Sequence, residues 1–163
     1  MSRVVIGVDP GLTGALAIMV DGYLQHVADM PVAAGAGTSS NRVQAVELAD
    51  ILEDWMLRFH QPGKSCVAVV EQVAAMPKQG VHSVFSLGHS LGVIEAVLLT
   101  SRIGVEWVTP SKWKKAMALG DDKKASRAMA QRLYPAASDR FKRVKDDGRA
   151  EAVLIAHWWL NRR

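Results

Sequence analysis

The chain has 163 residues, enough for one domain of ordinary size with a proper core. Hydrophobic residues make up 49% of it and charged residues 22%, the balance of a soluble globular protein. The formal charge of +4 is unevenly spread. Residues 109–149 hold twelve Lys and Arg against five acids, a local +7, while the remainder has eight basic residues against eleven acids, or −3. A basic region beside an acidic remainder is the pattern of a polyanion-binding protein with a carboxylate site, although by charge alone a solvated lysine-rich surface reads the same way.

Secretory and membrane classes are not expected. The apolar stretch Val4–Val8 is cut short by Asp9 and Pro10, unlike a signal peptide, and no uninterrupted apolar run approaches the roughly 20 residues of a membrane helix. Cys66 is the single cysteine, so no internal disulfide forms; inside Cys66-Val67-Ala68-Val69-Val70 it reads as a small buried strand residue. A reducing, cytoplasmic setting is the expectation.

In chain order, Arg3–Val8 is a β-branched run that Asp9-Pro10-Gly11 breaks. Ala15–Val20 and Tyr23–Met30 flank Asp21-Gly22, a strong hairpin signal, so three antiparallel strands open the chain. Gly35–Asn41 is a small-residue loop. From Arg42 to His60, apolar residues recur at helical spacing until Gln61-Pro62-Gly63 stops them. Cys66–Val70 is apolar on both faces, as a central strand is, and runs into Glu71. Val81–Thr100 is a second helix and Val105–Val108 a fifth strand. Thr109 then reads as the cap of a helix over Ser111–Met117, with Pro110 at its first position. Asp121 and Asp122 start another, running to Tyr134-Pro135, and a last helix spans about Gly148 to Leu160 with Ala152, Ile155, Ala156 and Trp159 available for packing. There is no internal repeat or linker. Residues 1–163 read as a single α/β domain, a five-stranded mixed sheet with helices on both faces.

Acidic residues stand out at three places. Asp9 closes the first strand, Glu71 closes the fourth, and Asp147 and Glu151 lie four apart, on one face of a helix. If the first and fourth strands are neighbours, Asp9 and Glu71 emerge side by side. Carboxylates converging in this way repel unless they share a cation, and oxygen-only ligands select Mg²⁺ or Mn²⁺. Each acid also has a plainer reading: Asp-Pro-Gly is an ordinary turn, Glu71 could be paired or exposed, and Asp147 could cap the last helix.

The blocks Gly7-Val8-Asp9-Pro10-Gly11 with Thr13-Gly14, and Val70-Glu71-Gln72-Val73, resemble the RuvC-type Holliday junction resolvases. Met76-Pro77-Lys78-Gln79-Gly80, Phe85-Ser86-Leu87-Gly88, Val108-Thr109-Pro110-Ser111-Lys112-Trp113-Lys114 and Lys145-Asp146-Asp147-Gly148-Arg149-Ala150-Glu151-Ala152 look closest to the phage and chloroplast branch. The resemblance implies a ribonuclease H-like fold and a homodimer that nicks four-way DNA junctions symmetrically with Mg²⁺, Mn²⁺ being a possible substitute. It implies Asp9, Glu71, Asp147 and Glu151 as catalytic metal ligands. Bacterial members carry their last two acids three apart, which here lands on Gly148; Asp147 is the better substitute and Asp146 the second choice. Lys124 falls where those enzymes carry an active-site lysine, with Lys123 competing for the role; both read equally as surface lysines. Lys78, Lys112, Lys114, Lys115, Lys123 and Arg149 are the implied DNA contacts. The family's junction-centre aromatic is missing from Ala74-Ala75-Met76-Pro77, leaving Met76 as the candidate in its place. On the helix 81–100, Gly88, Gly92 and Ala96 form a flat stripe for close approach, to a partner subunit or to the chain's own sheet. His82 and His89, with no cysteine beside them, do not read as a zinc site.

Other readings share some of these features. Val8–Gly14 also resembles the phosphate loop of actin-like sugar and acetate kinases, which need a second nucleotide-binding half. Another ribonuclease H-like nuclease, acting on RNA–DNA hybrids or as a transposase, accounts for the carboxylates but not for the later blocks. A junction-binding protein without cleavage is the non-enzymatic reading.

Overall fold

The β-branched opening run forms strand β1 (Arg3–Asp9), and the Asp21-Gly22 turn joins β2 (Ala15–Val20) to β3 (Tyr23–Asp29). Both turn residues have positive φ, 53° and 86°, the mirror-image turn that matches the twist of paired strands. The computed structural model describes residues 3–34, 41–59, 65–75, 78–120 and 122–162, and not the side chain of Lys123. The loop over 35–40 and the helix stop at 61–63 lie outside the described residues.

The remaining elements are β4 (Val32–Ala34), β5 (Asn41–Val43), α1 (Ala45–Phe59), β6 (Ser65–Glu71), α2 (Val81–Thr100), β7 (Gly104–Val108), α3 (Pro110–Ala116), α4 (Lys123–Leu133) and α5 (Asp147–Asn161). Two 3-10 segments, Pro135–Phe141 and Val144–Asp146, join α4 to α5. The five-stranded sheet has the order β3-β2-β1-β6-β7, antiparallel from β3 to β1 and parallel from β1 through β6 to β7. It is the mixed α/β sheet expected, with β1 at its centre and β6 between β1 and the edge strand β7.

Several boundaries differ from the sequence reading. Arg42 and Val43 belong to β5, not to α1, because Val43 pairs with Val32 and is buried in the core. This small β4–β5 hairpin carries no alternation long enough to read from sequence. Thr109 sits at the cap position of α3 but makes no side-chain cap bond; its hydroxyl lies 3.3 Å from that of Ser111. Asp122 does cap α4, accepting from the Lys124 backbone N–H at 2.9 Å. Cys66 is only partly buried, though enough to push its thiol up to about 11. By length and composition α2 is apolar enough to cross a membrane, which counting uninterrupted apolar runs did not reveal because Ser, His and Glu95 break the run.

Side chains alternate across each strand, so two cores form. Val4, Ile6 and Val8 of β1, with Ala68 and Val70 of β6, face Leu48 and Leu52 of α1 and Ile94 and Leu98 of α2. Val5 and Val69 face the opposite way, toward α5 and the α4 side. Ala150 to Ala156 of α5 are all buried, since the sheet covers one side of that helix and α4 with the first 3-10 segment covers the other.

Gly7 sets how closely α5 approaches. A Cβ there would collide with the Ala152 carbonyl oxygen and stand 3.0 Å from the Ala156 Cβ. The obstacle is helix backbone, which cannot rotate aside. Gly7→Ala is therefore expected to cost about 1–3 kcal/mol by overpacking. In a chain of this length that lowers the melting temperature by roughly 2–4 °C per kcal/mol, measurable by calorimetry.

Candidate metal centre

Strand parity delivers the first two acids. Val5, Gly7 and Asp9 share one face of β1, and Val67, Val69 and Glu71 share the same face of the neighbouring β6. Both carboxylates therefore emerge on the side where α5 lies. Glu151 comes from the first turns of that helix, one residue before the Ala152 carbonyl that rests on Gly7. Oxygens of Asp9, Glu71 and Glu151 all lie within 4.8 Å of one another. Glu71 and Glu151 are 5% and 7% exposed, so the charges meet largely away from water.

At such spacing each like-charged pair repels by on the order of 3 kcal/mol at an effective dielectric near 20. Several groups offset part of this. The indole N–H of the fully buried Trp113 donates to Glu71 Oε1 at 2.8 Å. The Lys114 ammonium stands 3.1 Å from Glu151 Oε1, outside hydrogen-bonding geometry. Among the described residues no hydrogen bond reaches that buried oxygen. A buried carboxylate oxygen lacking a donor, beside two further carboxylates, fits a hard divalent cation. Asp9, Glu71 and Glu151 are the residues able to hold one.

Asp147 stands differently. With Asp9, Thr13, Lys145, Gly148 and Glu151 it lines a cavity of about 260 Å³, which Glu71 does not line. Its carboxylate is held by Arg127 of α4, which also donates to the Val144 carbonyl at 3.3 Å. The tight trio thus leaves Asp147 one step aside, neutralised by a guanidinium. Gly148 cannot take the acid's place: a Cβ there would lie 2.5 Å from the Thr13 carbonyl oxygen and 3.1 Å from Asp9 Oδ2. Asp146 does not line the cavity and is 1% exposed. It accepts from the Arg143 backbone N–H at 2.8 Å and from its guanidinium at 2.9 and 3.1 Å.

The basic residues divide likewise. Lys78, Lys112, Lys115 and Lys124 are exposed, and Lys114 is the one at the acids. Arg149 is engaged by Asp29 through two bonds of 2.6 Å, tying α5 to the end of β3. Met76 and the Lys123 side chain lie outside the described residues. Trp113, Arg127 and Lys145 received no individual role from the sequence. The usable signal was Pro110 at the start of α3, which places residues 113 and 114 one turn in, where they can fold back over the strand ends.

No family model and no curated protein matches the chain. Two of the solved structures that share its fold are RuvC proteins. One is T. thermophilus RuvC in complex with a Holliday junction substrate, with 16% identity and a TM-score of 0.61, over 96% of this chain and 91% of that one. The other is a Thermus thermophilus RuvC structure, with 17% identity and a TM-score of 0.54, over 96% and 95%. The chain has the ribonuclease H-like fold, as RuvC does.

Burial pushes the Asp146 carboxyl up, but the Arg143 hydrogen bonds and the charges of Arg143 and Arg149 outweigh it and hold the group below its ordinary value. A carboxyl lowered in the folded state adds stability above its unfolded value, near 4, and loses it as pH falls through the lower folded value. Asp146→Asn should thus lower the melting temperature at pH 7. As pH falls below about 4 the difference between the two melting curves should shrink, and it should vanish only below the lowered folded value.

Proposed function

We propose that the chain is a metal-dependent endonuclease that resolves four-way (Holliday) DNA junctions by paired symmetric nicks. The convergence of Asp9, Glu71 and Glu151 within 4.8 Å at one end of a ribonuclease H-like sheet carries this reading. The motif blocks over 108–114 and 145–152, and the fold shared with a RuvC solved on a Holliday junction, support the junction as substrate. The resemblance of the same blocks to the phage and chloroplast branch supports a role in the cytoplasm of a bacterial or phage-infected cell.

Asp9, Glu71 and Glu151 hold the cation, Mg²⁺ or Mn²⁺ by their oxygen-only chemistry. When bound, it polarises the phosphodiester and lowers the pKa of the attacking water. Asp147 joins as the fourth acid once Arg127 turns from it, and the released guanidinium is a donor for the DNA phosphate. Lys145 at the cavity wall and Lys124, one turn before Arg127 on α4, add positive charge for the scissile phosphate. Lys78, Lys112 and Lys115 bind phosphates farther out, and Lys123 is a further phosphate contact. Lys114 and Arg149, already engaged by Glu151 and Asp29, contribute to DNA binding through the local potential.

A homodimer through α2 supplies two such sites. Val81, Phe85 and Leu99 are 86%, 69% and 56% exposed on that helix. Among the described residues nothing stands within 4 Å of a Cβ built on Gly88 or Gly92, so the chain's own sheet is not what these glycines accommodate. Gly92→Arg should shift a dimer to a monomer by light scattering, while circular dichroism stays unchanged.

The nuclease reading is tested on a mobile four-way junction, a linear duplex and an RNA–DNA hybrid, each with and without Mg²⁺. Symmetric paired nicks confined to the junction are expected. Nicking of the hybrid instead indicates another nuclease of this fold, and junction binding without nicking indicates a binding module. Asp9→Asn should retain junction affinity and lose at least about 100-fold in nicking, more than an outer partner of a metal costs; retained cleavage removes Asp9 from the site.

A further inference from the structure

Glu71 is the last residue of β6, and its partner on β7 is Val108. The ladder continues one step beyond, with the Gln72 N–H donating to the Val108 carbonyl at 2.7 Å. The Glu71 backbone is thereby clamped to β7. From Val108 the chain turns through Thr109 and Pro110 directly into α3. Trp113, one turn along, folds back over the strand end, so the strand that anchors the Glu71 backbone also delivers the group that touches its carboxylate.

Trp113 heads the largest fully buried side chains and lies in the core cluster of the α5 face. A buried indole needs an acceptor for its N–H. Here that acceptor is a side-chain carboxylate 42 residues away in sequence, 2.8 Å from the nitrogen, and not the backbone oxygen that serves most buried donors. The next residue, Lys114, stands against Glu151. Two consecutive residues of α3 thus meet two different acids of the trio. The rigid indole has two torsions, both fixed by packing at 0% exposure, so its N–H is a donor of fixed position.

We infer that Trp113 is a positioning residue of the metal centre: its indole N–H holds the Glu71 carboxylate in the orientation that binds the cation. This rests on the metal-site reading above. A buried tryptophan acting by bulk alone would serve the core equally with its nitrogen removed. A positioning tryptophan would not, because losing a short, directed hydrogen bond to an anionic ligand shifts the orientation in which that ligand binds.

The test separates bulk from hydrogen bond. Mn²⁺ binding is measured by calorimetry on the unaltered chain, on Trp113→Phe, on Asp9→Asn, and on a chain carrying β-(3-benzothienyl)alanine at position 113, which keeps the indole's shape and replaces N–H by sulfur. Melting curves are recorded on each without metal. Roughly tenfold weaker Mn²⁺ binding is expected for both position-113 variants, with the isosteric chain melting close to the unaltered one. An isosteric chain that binds Mn²⁺ within twofold of the unaltered chain overturns the role of Trp113 and leaves the metal site standing. Weakened binding matched by a comparable loss of folding in the isosteric chain also overturns it, since the bond is then structural. If the unaltered chain binds no Mn²⁺, or Asp9→Asn binds it equally well, the metal-site reading falls and this one with it.

Discussion

The contact between α5 and β1 is the constraint on which the site depends. Gly7 leaves the middle of β1 without a side chain on one face, and the Ala152 carbonyl and Ala156 occupy that space. Because both sides are small, the helix axis lies closer to the sheet than branched residues permit. The depth of this seat decides where Glu151 stands, since it precedes Ala152 by one residue. It also decides how tightly the start of α5 meets the loop after β1, where Gly148 leaves no room for a side chain beside Thr13 and Asp9. A shift of an ångström or two there would separate the helical acid from the two strand acids.

Concentrating carboxylates in a buried place requires compensation, and α3 and α4 supply it. Trp113 and Lys114 come from α3 to Glu71 and Glu151, and Arg127 comes from α4 to Asp147. Asp146 serves a different purpose, bonding Arg143 so that the 3-10 segment ends where α5 begins. Adjacent aspartates are thus divided between scaffold and site, because successive residues at a helix start point in different directions.

Much of the strand framework was legible from the chain alone. The alternating and β-branched runs, the Asp21-Gly22 turn and the interior Ser65–Glu71 strand depend on local patterning, and they lie where that patterning places them. The long helix Val81–Thr100 was equally plain. What failed was short or nonlocal: the three-residue strands β4 and β5 and the 3-10 segments after Pro135, whose formation depends on pairing and packing partners distant in sequence.

The same division runs through the site. Residue patterning along the chain was enough to end apolar strands at Asp9 and Glu71 and to put Glu151 on a helix with Ala152, because strand ends and helix faces follow from periods of two and 3.6 residues. The packed fold, and no residue pattern, makes β1 and β6 parallel neighbours whose parity turns both acids toward α5. It alone drew Arg127 onto Asp147 and Trp113 onto Glu71, across 20 and 42 residues of chain. Contacts of that range depend on how whole elements pack, and no local pattern of residue types encodes them.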